Sequence, residues 1–328
     1  MHCFWDERQR GHAPSGEFFN GAIHPAAEHP GRVDAILSAI GPTESPADQG
    51  VGPILRVHSA EYVELLRTAH SEWLAAGRQG DAFPYTFPIV GRRTPKLTRI
   101  DARLGQHSFD TSTPIGPGTW EASYWSVQTA LAGLQGVLTG DTAFALTRPP
   151  GHHAGTDYFG GYSYLNSAAI CAEAALAAGK RSVAILDVDY HHGNGTQDIF
   201  AGRSDALFAS IHADPATDYP FFWGHAEESR GNVLNLPLPR GTDWEAYKPA
   251  LTQALDWIEK AQPEMLIVSY GADTHEADPI SHFKLKTEDY AAMARRIASL
   301  GLPTLIVMEG GYAVDALGGN VASFLSGF

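Results

Sequence analysis

The sequence predicts an α/β fold built on a parallel sheet, and three observations carry that prediction. From about residue 120 onward short apolar runs alternate with amphipathic segments, the pattern of repeated strand–helix units. Polar motifs rich in His, Asp and Gly follow several of the apolar runs directly, where the loops of parallel sheets carry their chemistry. Hydrophobic residues make up 44% of the 328 residues, enough for a sizeable core that needs no disulfide staples.

Strand-like runs cover 143–146, 183–188, 206–211, 265–270 and 304–308, and helix-like runs cover 120–138, 166–178, 243–261 and 287–300. The segment 78–117 breaks this rhythm. It is rich in Pro, Gly, Thr and Asp and carries Phe83-Pro84-Tyr85-Thr86-Phe87-Pro88 near its start. Irregular stretches of that length are either functional or disordered, and the aromatics argue against simple disorder, so a lid or a subunit contact is expected.

Two cysteines, Cys3 and Cys171, cannot build a disulfide framework and read as reduced thiols of a cytoplasmic protein. The N-terminal residues show no basic stretch followed by an apolar one, so no signal peptide is expected. No apolar run approaches the length of a membrane span. The net charge of −14 disfavours nucleic acid and attracts cations. An ordinary solvated surface accounts for the same charge; a field that draws in cationic substrates is the sharper alternative.

Four blocks carry chemistry: Arg148-Pro149-Pro150-Gly151-His152-His153, Asp187-Val188-Asp189-Tyr190-His191-His192-Gly193-Asn194-Gly195, Gly271-Ala272-Asp273 and Glu309-Gly310-Gly311-Tyr312. Side chains alternate along an extended chain, so Asp187, Asp189 and His191 share one face at the end of an apolar strand. Asp189 and His191 form a two-ligand clamp for a divalent ion, and Asp187 is placed to orient its neighbours. Asp273 is the third ligand that leaves a fourth position open for water, although alone it also fits a turn or helix N-cap. His152 and His153 suggest proton handling, with Asp187 partnering one ring and Asn194 the other. A carboxylate raises an imidazole's pKa and a neutral amide does not, so the ring beside Asn194 is the better general base. Tyr312, after two glycines, is placed to donate to a developing oxyanion; a packed strand-end tyrosine is the other reading.

With these blocks in view, the chain resembles the zinc-dependent histone deacetylase-like amidohydrolases of the arginase/deacetylase superfamily. The resemblance runs from His29-Pro30-Gly31-Arg32 to Tyr312. The segment 83–118 and Ser59-Ala60-Glu61-Tyr62 are most similar to bacterial acetylpolyamine amidohydrolases. It implies the arginase/deacetylase fold, an eight-stranded parallel sheet flanked by helices, in a single deacetylase domain over 1–328. The inserted segment at about 78–117 would lie near the active-site entrance or dimer interface.

The resemblance also implies roles. Zinc, or ferrous iron, would be held by Asp189, His191 and Asp273. His153 would be the base, His152 its electrostatic partner held by Asp187, and Tyr312 would polarise the amide carbonyl. Phe159 and Phe222 would wall a narrow tunnel, with Gly161 also contacting substrate. Asp187, Asp189, His191, Ser210 and Ile211 would hold a structural potassium ion, and Arg32 would sit behind the metal. One departure is Asn194, where some relatives carry Asp. A homodimer is expected, with Glu17, Asp101 and Asp110 as candidates to attract the ammonium groups of an acetylated polyamine; each alone also reads as an ordinary exposed carboxylate.

The alternative substrate is acetyllysine on protein, which the inserted segment should obstruct. A two-metal ureohydrolase would need bridging carboxylates where Gly193 and His275 stand. A non-catalytic binding module would have no use for the full set of chemical groups.

Overall fold

The computed structural model describes residues 1–89 and 95–328. Its strands are β1 (His2–Phe4), β2 (Glu17–Phe19), β3 (Ala22–His24), β4 (Thr142–Ala145), β5 (Val183–Asp187), β6 (Ala206–Ala213), β7 (Val233–Leu238), β8 (Met265–Tyr270) and β9 (Thr304–Met308). The helices are α1 (Gly31–Leu37), α2 (Ala60–Ala75), α3 (Ile100–Gln106), α4 (Thr119–Leu138), α5 (Ser167–Ala177), α6 (Asn194–Phe200), α7 (Trp244–Ala261), α8 (Thr287–Ala298) and α9 (Val314–Leu325). Seven strands form one sheet in the order β1-β4-β9-β8-β5-β6-β7, and every pairing in it is parallel.

The eight-stranded expectation is corrected to seven among the described residues, because β2 and β3 pair with each other as a separate antiparallel hairpin. The edge strands β1 and β7 were outside the strand-like runs. β1 has three residues, too few to show a period, and β7 contains Pro237, tolerated at an edge that needs no donor on its free side.

Alternation along the strands divides the core into two apolar layers. Val183 and Ile185 of β5, with Met265 and Ile267 of β8 and Leu305 and Val307 of β9, pack in the layer that also holds α2, α4 and α5 residues. Ala184 and Leu186, Leu266 and Val268, and Ile306 and Met308 face the layer containing α7, α8 and α9 residues. A strand covered on both faces has no polar side to present, which is why these runs read as continuously apolar. Asn166 caps α5 by accepting from the Ala169 N–H at 2.9 Å, and Asp243 caps α7 by accepting from the Ala246 N–H at 3.0 Å.

The inserted segment is more ordered than an irregular loop. Ala82 and Ile115 exchange both main-chain hydrogen bonds at its base, at 2.9 and 3.0 Å, and it contains α3. Residues 90–94 of it lie outside the described residues. No helix among the described residues is long and apolar enough to cross a membrane.

Candidate active site

The blocks at the carboxyl ends of β4, β5, β8 and β9 converge because these strands are neighbours in a parallel sheet. Asp189, His191 and Asp273 each offer a ligand atom, and those atoms lie within 4.8 Å of one another. His191 Nδ1 stands 3.1 Å from Asp273 Oδ2 and 3.4 Å from Asp189 Oδ1. Main-chain donors fix both carboxylates: His191 N and Gly310 N donate to Asp189 at 2.9 and 2.8 Å, and Tyr190 N donates to Asp273 at 2.9 Å. Glycine is required around this cluster, since a Cβ at Gly271 or Gly310 would stand 2.0 or 2.7 Å from Asp189 Oδ2.

The donor chemistry fits a divalent cation. Burial, then repulsion from Asp189, pushes Asp273 up to about 7. Against burial, the neighbouring imidazoles hold Asp189 below the ordinary carboxylate range, so the resistance to ionisation falls on Asp273, and a divalent cation held by Asp189, His191 and Asp273 would favour its ionised form.

The two histidines have opposite electrostatics. His152 Nδ1 lies 2.9 Å from Asp187 Oδ2. Burial alone would depress this ring, but Asp187, with Asp189 and Glu309 beyond it, lifts it to about 10. His153 Nδ1 lies 2.7 Å from Asn194 Oδ1. Burial, then the neighbouring His152 and His191 rings, holds His153 well below the ordinary imidazole value, so it is neutral near pH 7. The two rings lie tilted at 45° to each other with centroids 4.0 Å apart.

Tyr312 lies on the same cavity. Its main-chain N–H donates to Asp278 Oδ2 at 2.7 Å, and its ring lies 4.8 Å from the Arg32 guanidinium. Burial raises the Tyr312 phenol well above its ordinary value, so it remains a donor. Arg32 donates to Gly311 O at 2.7 Å and Glu309 O at 2.6 Å, bracing the loop from behind.

The cavity holds about 290 Å³ and is lined by His153, His191 and Tyr312 at the chemistry and by Tyr162, Tyr219, Phe221, Gly161 and Glu17 around it. The expected walls need correction. Phe159 is fully buried in the core, stacked on Tyr164 at 6.0 Å, and the neighbouring Tyr162 lines the cavity. Phe222 points outward at 84% exposure, whereas Phe221, half-exposed, borders the cavity. Both lining residues have left-handed backbone, φ 63° at Tyr162 and 60° at Phe221, which redirects their side chains in a way residue spacing does not reveal.

The acidic candidates also separate. Glu17 lies on the cavity wall, 3% exposed, with Oε2 unpartnered among the described residues. Asp101 is corrected: it is buried against Arg78 and Arg99, at 2.6 and 2.7 Å, and these cations occupy its carboxylate. Asp110 is likewise corrected, because Gly161 N, the Tyr219 hydroxyl and Ser112 donate to it and it braces the cavity walls from outside. Ser210 lies opposite Asp187 in the β5–β6 register, and Ile211 follows it, buried.

The chain matches the histone deacetylase domain model over residues 26–328. It is 47% identical to acetylpolyamine amidohydrolase 1 of Pseudomonas aeruginosa, over 100% of this chain and 99% of that one. It is 45% identical to the acetylpolyamine amidohydrolase of Mycoplana ramosa, over 95% of this chain and 94% of the relative. The crystal structure of an acetylpolyamine aminohydrolase from Burkholderia pseudomallei superposes with a TM-score of 0.95 at 37% identity, covering 100% of this chain and 98% of that one. Model match, full-length identity and superposition lead to one conclusion: the chain belongs to the histone deacetylase domain family.

Proposed function

We propose that the protein hydrolyses the acetyl amide of N-acetylated polyamines, of the acetylputrescine and acetylcadaverine type, to the free amine and acetate. The observation that carries this is the placement of Glu17, a buried carboxylate with a free oxygen, on the same narrow cavity as His153, His191 and Tyr312. An extended diamine offers an ammonium for Glu17 and an amide for the other groups. Burial raises Glu17 and a hydrogen bond from Tyr162 opposes that rise. A cationic ligand compensates such a group better than water does. The full-length relatives named as acetylpolyamine amidohydrolases support the same substrate class.

Asp189, His191 and Asp273 would hold one zinc ion, which supplies Lewis-acid polarisation of the amide carbonyl and acidifies water. His153, neutral and with one ring nitrogen committed to Asn194, takes the proton of the attacking water and returns it to the departing amine. His152, kept protonated by Asp187, places positive charge beside the developing oxyanion. Tyr312 donates its phenolic proton in a hydrogen bond to that oxygen. A structural potassium ion at Asp187, Asp189, His191, Ser210 and Ile211 belongs to the same reading.

We place 1–328 in one catalytic domain, in the cytoplasm, acting as a homodimer. Phe18, Ile23, Tyr85, Ile89 and Phe222 are exposed apolar groups on the β2–β3 hairpin, the inserted segment and the loop beside the cavity, where a second copy would cover them. The deciding experiment compares acetylputrescine, acetylcadaverine and longer acetylated polyamines with an acetyllysine peptide. Higher kcat/KM on the small diamines is expected; preference for the peptide would overturn the substrate assignment.

A further inference from the structure

The general base is held by an amide, and an amide can face either way. Asn194 turns Oδ1 toward His153 Nδ1 at 2.7 Å and Nδ2 toward His153 O at 3.5 Å and the Tyr158 hydroxyl at 3.4 Å. The reverse orientation would place an NH2 against the imidazole and select the opposite tautomer. Something beyond Asn194 must therefore decide which way it points.

The Tyr158 hydroxyl lies 2.6 Å from Asp198 Oδ2 and, more weakly, 3.4 Å from Asn194 O. An ionised carboxylate only accepts, so the hydroxyl spends its single proton on Asp198. Its oxygen then faces Asn194 as an acceptor and, together with the His153 carbonyl at 3.5 Å, calls for the amide NH2. Oδ1 is left for His153, where it accepts only, so Nδ1 must carry the ring proton and Nε2 keeps its lone pair. Burial and Asp198 push the Tyr158 phenol well up, which keeps the hydroxyl proton in place.

The local packing is built for this hydroxyl. Tyr158 sits edge-on to Phe109 at 5.6 Å and stacks beside Trp223 at 6.3 Å. Its ring crosses Gly155 so closely that a Cβ there would stand 2.3 Å from Tyr158 Cε1.

We propose that Tyr158 and Asp198 are positioning residues for the general base: together they orient the Asn194 amide so that His153 holds its proton on Nδ1 and presents Nε2 to the cavity. The inference rests on His153 being the base of the proposed reaction. The need for outer groups follows from Asn194, since a carboxylate beside His153 would fix the tautomer unaided, and here the carboxylate stands two groups further out.

The test uses the full-length protein labelled with 15N-histidine, with His153 assigned against His153→Gln and its tautomer read from long-range 1H–15N correlations. Wild type should show the Nδ1–H form alone. Tyr158→Phe should yield a mixture of tautomers and lower kcat on acetylputrescine about tenfold, the scale of an outer hydrogen-bond partner, with KM changed far less. Asp198→Asn, at a partly exposed position, should act in the same direction, and the double variant should be no worse than Tyr158→Phe. A pure Nδ1–H signal in both variants would overturn the proposal, whether or not kcat falls, because packing loss alone lowers kcat without changing the tautomer. The spectrum is read without substrate. A wild-type protein inactive on acetylputrescine would therefore sink the proposed function while the tautomer comparison still decided this inference.

Discussion

Arg148 closes both arms of its guanidinium on Glu28, Nε to Oε1 at 2.7 Å and one terminal nitrogen to Oε2 at 2.9 Å, with both side chains 1% exposed. Arg32 donates to the same Oε1 at 3.0 Å. Burial on its own would raise Glu28; Arg148, Arg32 and His12 outweigh it and hold the carboxyl at about 2. Removing one member of a buried ion network leaves the others uncompensated, so Glu28→Ala should cost about 3–5 kcal/mol by urea unfolding.

The same network should contribute to acid sensitivity. A carboxyl with a folded pKa below its unfolded value stabilises above the unfolded value, and that contribution fades as pH falls toward the folded one. The Glu28 contribution should therefore be complete near neutrality and drain away from about pH 4.5 down to about 2. Unfolding titrations of wild type and Glu28→Gln across that range should converge as the pH drops. Parallel curves would show that another group carries the acid sensitivity.

Catalytic substitutions should split by role. His153→Ala should lower kcat by about 10²–10⁴ while the metal content stays at one ion per chain, because the ring handles protons and is not in the ligand cluster. Tyr312→Phe should lower kcat by about 10²–10³. Metal analysis of each purified variant checks the first claim, and loss of the ion from His153→Ala would mean that the ligand set is misassigned.

The metal cluster was legible because it depends on local periodicity. Asp189 and His191 alternate onto one face of an extended segment, and Asp273 follows an apolar strand that β5 directly neighbours. The histidine partners followed from donor chemistry. The cavity walls did not, because Tyr162 and Phe221 reach it through left-handed backbone, while Phe159 and Phe222, the aromatics beside them, point elsewhere. Asp101 misled for a different reason: the cation that buries it includes Arg78, far away along the chain. The sheet edges were missed where strands are short or carry proline, so their pairing leaves little trace in residue pattern.

Chelation supplies a further prediction. Without a cation, Asp189 and Asp273 crowd each other with one imidazole between them, and Asp273 is raised toward neutrality. Stripping the ion should abolish turnover and lower the thermal midpoint, and zinc should restore both. Asp273→Ala should show neither restoration nor stoichiometric uptake by metal analysis.

The substrate claim rests on Glu17, so its removal should act on binding more than on chemistry. Glu17→Gln keeps the shape of the cavity wall and removes only the negative charge. If the ammonium of acetylputrescine reaches this carboxylate in both the bound and transition states, KM should rise roughly tenfold or more with kcat little changed, the signature of lost uniform binding. An acetylated monoamine of equal length lacks that ammonium and should not distinguish the variant from wild type. Steady-state kinetics on the two ligands separate these cases. An equal loss on both would assign Glu17 to the architecture of the cavity and move the ammonium site elsewhere.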